Sequence, residues 1–183
     1  LFVFASGKDR KPETEIDHWE QPVNDATVWS YIVPDALIPA SWTSAAYDID
    51  AWATGLSSVG YGDGDDNSVI PAGSISVYLR NTFTVDDTSL IDDAIFSLDY
   101  DDGFVAYLNG NVIALNGFIT GSPAYNELSN IDHEASMYGG GNPENFLIDE
   151  SILKTYLIEG ENILSIEVHN VTPGSSDITA IPF

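Results

Sequence analysis

Polar and apolar residues alternate with a period of two along several stretches of this chain, the spacing of a strand with one buried face. The longest stretch, Ile75 to Val85, sets Ile75, Val77, Leu79, Asn81, Phe83 and Val85 on one side. A second runs from Asn162 to Asn170. Its Leu164, Ile166 and Val168 are expected to face the core, with Ile163, Ser165, Glu167 and His169 on the other face. Shorter strand-like runs are Val28–Val33, which ends at Pro34, then Ala94–Tyr100, Phe104–Leu108 and Val112–Leu115. The last two flank Asn109-Gly110-Asn111, and an Asn-Gly step between apolar runs predicts a tight hairpin. Helical signals are thin. Asp149–Leu157 reads as one short helical segment before Glu159-Gly160. Many short strands between regular turns predict an all-β, antiparallel β-sandwich.

Composition narrows what such a sandwich does. The 183 residues suit about one domain, and 44% hydrophobic residues are enough for a core. Lysine and arginine total 5 against 29 aspartates and glutamates, a formal charge of −24. That balance argues against nucleic acid and anionic membrane surfaces, which need a basic face. It disfavours sulfated glycans as well, unless metal ions bridge the repulsion. Cysteine is absent, so disulfides, thiolate zinc sites and a cysteine nucleophile are excluded. No apolar run reaches the roughly 18 residues of a membrane helix, so membrane insertion is not expected. The chain opens at Leu1 with neither an initiator methionine nor a basic-flanked apolar leader, and reads as a fragment of a longer protein.

The few basic residues are unevenly placed. Lys8, Arg10 and Lys11 fall in the first eleven positions, leaving Arg80 and Lys154 for the rest. Ser6–Pro12 reads as a turn or linker. A boundary is expected near Asn24-Asp25. Residues 1–25 would form an N-terminal arm or the end of a preceding domain, and residues 26–183 the sandwich. Whether His18-Trp19-Glu20 packs onto the sandwich or belongs to a linker stays open.

The acidic residues cluster. Gly60–Asn67 alternates glycine with Asp63, Asp65 and Asp66, so a sharply turning backbone brings carboxylates together. Calcium takes several oxygen ligands and favours such loops, although the glutamate that closes an EF-hand is missing. Asp99-Tyr100-Asp101-Asp102-Gly103 is a second candidate, with Asp101 and Asp102 as metal ligands. The alternative there is a tight turn in which Asp102 caps backbone amides and Gly103 supplies a positive φ. Arg80 is expected to form an ion pair that fixes loops, or to clamp a sugar hydroxyl or carboxylate. His169 and Asn170, with Ser175-Ser176-Asp177, bring polar groups to the end of a strand. They would bind a sugar or hold their own loop; no nucleophile-elbow motif supports a Ser175–His169–Asp177 triad. Among the aromatics, Trp52 is expected in the core and Trp42 as a surface platform, while Tyr61, Tyr125 and Tyr138 lie in loop-like sequence.

Asp101–Gly110, Phe146–Leu157 and Glu159–Val168 together resemble a galactose-binding-like jelly roll, in the order found in the sugar-binding domains of family 2 glycoside hydrolases. Trp52, Gly60–Asp66, Val77–Arg80, Asp99–Gly103, His169-Asn170 and Ser175–Asp177 resemble a module of secreted multidomain proteins of Bacteroidetes. That module neighbours lamin-tail-like and CotH-type domains. Leu1–Arg10 is similar to the closing segment of a lamin-tail-like domain, while the module likeness covers roughly 28–183. Asp101-Asp102-Gly103 also resembles the calcium-binding element of protective-antigen-like adhesin lectins. These resemblances imply a galactose-binding-like jelly roll, a structural Ca2+, and a secreted or cell-surface location. They imply a non-catalytic carbohydrate-binding or adhesion module whose partners are a polysaccharide or glycan and other domains of the parent chain. The implied ligand-binding set is Trp42, Tyr61, Arg80, Tyr138, His169 and Asn170. A ligand-free structural spacer is the alternative, since fold does not set function.

Overall fold

The alternating runs become strands, and their pairing builds two sheets. A computed structural model describes residues 2–6, 18–24 and 26–183. Gly7–Pro12 of the expected linker, with its three basic residues, lies outside the described residues, as does Asp25 at the expected boundary.

The first sheet carries β1 (Phe2–Ser6), β2 (His18–Val23), β5 (Val59–Tyr61), β6 (Ser68–Val69), β8 (Ile91–Asp101), β11 (Glu144–Ile148) and β13 (Ile178–Pro182). Its order is β2-β1-β8-β13-β5-β6, with β11 also paired to β8. The second carries β3 (Val28–Ile32), β4 (Ala53–Leu56), β7 (Ser76–Val85), β9 (Gly103–Leu108), β10 (Asn111–Asn116) and β12 (Gly160–His169), in the order β10-β9-β12-β7-β3-β4. All pairings are antiparallel except β5 with β6. Strand β2, with His18-Trp19-Glu20, pairs with β1, which pairs with β8.

Period-two alternation decides which side chains meet between the sheets. Val77, Leu79, Phe83 and Val85 of β7 join Leu164, Ile166 and Val168 of β12 and Phe104, Ala106 and Leu108 of β9. Facing them are Ala94, Phe96, Leu98 and Tyr100 of β8, Ile178 and Ala180 of β13, and Val59 and Tyr61 of β5. Each large apolar side chain buried here stabilises the fold by about 1.5–3 kcal/mol. Asp99 and Asp101 of β8 and Thr179 of β13 therefore emerge on the outer face of the first sheet.

The expected hairpin is present between β9 and β10. Asn109 (φ 50°) and Gly110 (φ 83°) both take the left-handed conformation that a type I′ turn requires. The expected helix is α1 (Glu150–Tyr156). Asp149 caps it by accepting from the Ser151 amide at 2.8 Å, and Leu153 is buried in the core.

The core face of β12 is the expected one, and its other face is covered as well. The outer face of β12, with Ser165, Glu167 and His169, is as buried as its core face. Segments 34–52 and 117–130 cover it, packing Trp42, Trp52 and Phe118 over Tyr78, Val105 and Tyr107. Alternation reports an apolar face; it does not report that loops rich in aromatics roof the polar one.

Candidate cation site

The acidic loop hangs between β5 and β6, and its conformation follows from its own polar groups. Ser58 Oγ donates to the Asp65 carbonyl at 2.7 Å, and the Asn67 side-chain amide donates to the Ser57 carbonyl at 2.5 Å. Gly62 (φ 119°) and Gly64 (φ 86°) take conformations that side-chain-bearing residues avoid. The loop folds back over the outer face of the first sheet, where three strands share a row. Thr179 of β13 stands opposite Gly60 on one side and opposite Asp101 on the other. Directly opposed residues project to the same face. Thr179 donates its hydroxyl to Asp63 Oδ2 at 3.2 Å. Gly60 has no side chain, and a Cβ there would run into Asp66 Oδ1 and the Ile178 carbonyl oxygen.

Carboxylate oxygens of Asp63, Asp65 and Asp66 all lie within 4.8 Å of one another. Two oxygens on opposite sides of one calcium ion stand about 4.6–5.2 Å apart, so the triad has the dimensions of such a shell. Asp63 Oδ1, Asp65 Oδ1 and Asp66 Oδ1 are each buried without a hydrogen-bond partner. The donors are all hard oxygens, the set that calcium, magnesium and manganese prefer. The triad could therefore hold a metal ion.

Its electrostatics are those of crowded like charges. Burial, then a hydrogen bond and charge repulsion from Asp63, push Asp65 up to about 6. Burial, then the charges of Asp63, Asp65 and Asp177, push Asp66 up to about 7. Asp101 rises to about 9, from burial first and then from the charge and hydrogen bonding of Asp102, with Asp177 and Glu134 adding to it.

The Asp101-Asp102 pair divides. Asp102 is a turn carboxylate: Oδ1 accepts from the His133 amide at 2.9 Å and Oδ2 from the Val171 amide at 2.7 Å. Each oxygen thus accepts one backbone amide, as the turn reading of Asp102 expects. Gly103 follows without a positive φ. It is glycine for lack of room, since a Cβ would lie 2.6 Å from Ser129 Oγ and 3.1 Å from the Asn116 carbonyl oxygen. Asp101 is 3% exposed and its Oδ2 has no partner. Two positions earlier on the same face, Asp99 accepts from the Ser136 and Met137 amides at 2.8–3.1 Å. This anchors the loop that carries Tyr138.

The expected sugar-contact residues do not converge on a surface. Trp42, expected as a platform, is 4% exposed and packs against Tyr78 at 4.7 Å and Trp52 at 6.0 Å between ring centres. Tyr61 is core on β5, its hydroxyl donating to the Ser175 carbonyl at 3.2 Å. Arg80 is buried, and its Nη1 donates to the carbonyls of Trp42 (3.1 Å) and Tyr47 (3.2 Å), pinning the covering segment through main chain where an ion pair was expected. Burial depresses its pKa. His169 is fully buried, with Nδ1 on the Glu127 carbonyl oxygen at 2.9 Å and Nε2 on Glu167 Oε2 at 3.1 Å. Both ring nitrogens are occupied away from Ser175 and Asp177. Asn170 is buried and donates to the Ser74 carbonyl at 2.9 Å. Tyr138 alone of the six is open to solvent, at 55%. A cleft of about 380 Å³ is lined by Glu20–Pro22, Thr84–Asp87, Leu90 and Ile91, none of them from the acidic loop.

Thr179 and Glu134 were not marked by the sequence, Gly60 was marked only as part of the loop, and Asp177 was marked for another role. Nothing local distinguishes Thr179 from any threonine on a strand; its role comes from its two neighbours.

No protein-family model matches this chain, and no curated protein matches it either. Solved structures match in fold. A calcium-binding mutant of Bacteroides uniformis β-glucuronidase 2 superposes with a TM-score of 0.50 at 13% identity, over 87% of this chain and 18% of that one. The same enzyme covalently bound to cyclophellitol-6-carboxylate aziridine gives 0.50 at 14% identity, over 87% and 17%. A β-glucuronidase from glycoside hydrolase family 2 gives 0.48 at 19% identity, over 80% and 14%. The chain thus spans less than a fifth of the length of these enzymes. The likeness is one of fold, an all-β sandwich.

Proposed function

We propose that this chain is a calcium-stabilised, non-catalytic sandwich module of a larger secreted or cell-surface protein, and that it serves carbohydrate recognition or adhesion. The observation that carries the reading is the triad of Asp63, Asp65 and Asp66, whose carboxylates each offer an oxygen inside one calcium shell's width and each bury one oxygen without a partner. An unpaired buried carboxylate is costly, and a divalent cation offsets the cost of several at once. The neighbours in fold, which are glycosidases by name, support a carbohydrate setting.

A glycan would meet the module beside the cation loop. Tyr138 is exposed there, on the segment that Asp99 anchors to the same sheet face. An exposed tyrosine ring offers a sugar an apolar face with a polar rim. A neutral glycan suits the charge of −24 better than an anionic one. The spacer reading is favoured by a different observation: five of the six side chains expected to touch sugar are buried.

One pair of measurements tests both. Thermal unfolding with calcium and with excess chelator should differ by several degrees, since an ion that binds only the native state stabilises it by mass action. A glycan array read in calcium should then show binding that Tyr138→Ala abolishes. An unchanged melting temperature rejects the calcium site; a blank array leaves the spacer.

A further inference from the structure

We infer that Asn116-Gly117 is a self-modification site, where the Gly117 amide nitrogen closes on the Asn116 side chain and expels ammonia, while the twin step Asn109-Gly110 is locked against the same reaction.

The chain has two Asn-Gly steps, and both read Leu-Asn-Gly: Leu108–Gly110 and Leu115–Gly117. Their glycines take nearly the same φ, 83° and 81°. A difference in reactivity between them therefore comes from the fold. At Asn109 the side chain is engaged elsewhere. Its Nδ2 donates to the Tyr156 carbonyl and to Asn162 Oδ1, and its Oδ1 accepts from the Ile163 amide. Turning this carboxamide toward Gly110 breaks all three bonds. At Asn116 the side chain already faces its neighbour, with Oδ1 accepting from the Gly117 amide at 3.0 Å. That oxygen is one bond from the carbon under attack, so the reacting pair starts near the about 3–3.5 Å of a near-attack arrangement. Glycine presents no Cβ to shield the nitrogen.

The leaving nitrogen has a proton source. Asn116 Nδ2 donates to the Tyr100 hydroxyl at 2.7 Å, and that hydroxyl donates to Glu144 Oε2 at 2.9 Å. His133 Nε2 meets Glu144 Oε1 at 3.0 Å, and its ring stacks on Tyr100 with centres 4.2 Å apart. Burial, the largest cause, pushes the Tyr100 phenol up, so it stays protonated. The side chains of Glu144 and His133 are 47% and 23% exposed, so the chain of contacts leads from the buried amide to water.

In the reaction the Gly117 nitrogen gives its proton to water or hydroxide and bonds to Asn116 Cγ. The Cγ–Nδ2 bond breaks, and Nδ2 leaves as ammonia with a proton from Tyr100, which regains one by way of Glu144. No oxidation is involved. Water then opens the five-membered imide to aspartate or isoaspartate. Isoaspartate lengthens the main chain by one methylene where segment 117–130 leaves β10, beside the 2.8 Å bond from the Asn130 amide to the Gly117 carbonyl.

Peptide mapping by mass spectrometry, on the intact chain aged at mildly alkaline pH, tests this. Conversion at Asn116 should run several-fold faster than at Asn109. In concentrated urea the two rates should agree, because the local sequence is the same. Tyr100→Phe should slow Asn116 several-fold. Because Tyr100 is in the core, Glu144→Gln at an exposed position provides a second variant, and it should slow Asn116 as well. Asn109 in the same molecule is the control, since a loosened fold would speed it. Equal rates in the folded chain, or a faster Asn109, overturn the inference. A rate at Asn116 that neither variant slows overturns the proton path.

Discussion

Thr179 reaches from the middle strand of the row to Asp63, donating its hydroxyl at 3.2 Å and fixing the acidic loop to the sheet. Thr179 is fully buried and Asp63 half-buried, so the bond is partly shielded from water. Thr179→Val keeps the shape and removes the donor. It should cost about 1 kcal/mol in urea unfolding with chelator present, the usual net value of one hydrogen bond. Calcium affinity should fall in the same variant. An unchanged midpoint and affinity would mean that the loop holds its form without the strand.

Acidity should act on the chelated protein in an unusual direction. Asp65, Asp66 and Asp101 have folded-state pKa values raised to about 6, 7 and 9. A carboxyl with a raised folded pKa binds protons more tightly folded than unfolded, so stability falls as pH rises from its unfolded value through its folded one. With chelator, the melting temperature should therefore decline between about pH 4 and pH 9. Saturating calcium holds these groups ionised and should flatten the decline. A melting temperature that rises over this range in chelator would contradict the crowding of the three aspartates.

Beneath the covering loops of the second sheet, Glu167 holds Tyr107 and His169. Tyr107 donates to Oε1, and His169 Nε2 meets Oε2 at 3.1 Å, with all three residues buried. Glu167→Ala leaves Tyr107 only the Gly121 carbonyl at 2.9 Å and strands His169 Nε2, and should cost about 1–3 kcal/mol in denaturant unfolding, the range for a buried polar group left unsatisfied. Glu167→Gln keeps one acceptor and should cost less. Equal losses in the two would show that space-filling, not the bonds, is what Glu167 supplies.

The hairpin residue Asn109 also serves as a clamp. Its side-chain amide donates to the Tyr156 carbonyl and to Asn162 Oδ1, each at 2.8 Å, and its Oδ1 accepts from the Ile163 amide at 2.8 Å. Asn109→Ala loses all three bonds at a φ of 50°, where asparagine is better tolerated than alanine. Chemical unfolding should show a loss of about 2–3 kcal/mol. Asn109→Gly, which relieves the backbone but not the bonds, should recover only part of it.

Gly60→Ala isolates the packing of the row. The new Cβ would meet the Ile178 carbonyl oxygen, which belongs to paired backbone and cannot give way, and would displace Asp66. Calcium binding at the triad should be lost while the far-UV circular dichroism of a β protein persists. Retained binding would place the ion elsewhere.

Much of the sandwich was legible along the chain. The alternation in Ile75–Val85 and Asn162–Asn170 marked the core faces of β7 and β12, because a period of two leaves one choice of buried side. Asn109-Gly110 set its hairpin through φ alone, and Asp149 set the start of α1 by capping it. The acidic loop, too, was visible as alternating glycine and aspartate. Each of these is a local matter of residues within one strand or turn.

The pairing of distant strands decided the rest. Strands β5 and β13 are short, and one contains Gly60 and the other Pro182, so neither announces itself by alternation. Yet β13 lies between β5 and β8, and only that order aligns Gly60, Thr179 and Asp101 in one row. Trp42, Arg80 and His169 looked available for a ligand because polar or flanking positions read as surface. The covering segments buried them, since the aromatic residues of those loops gain more by packing on the second sheet than by facing water. Residue type and local spacing fixed which groups can bind a cation; the meeting of three strands fixed what their loop packs against, because Gly60 and Thr179 come together only through β13.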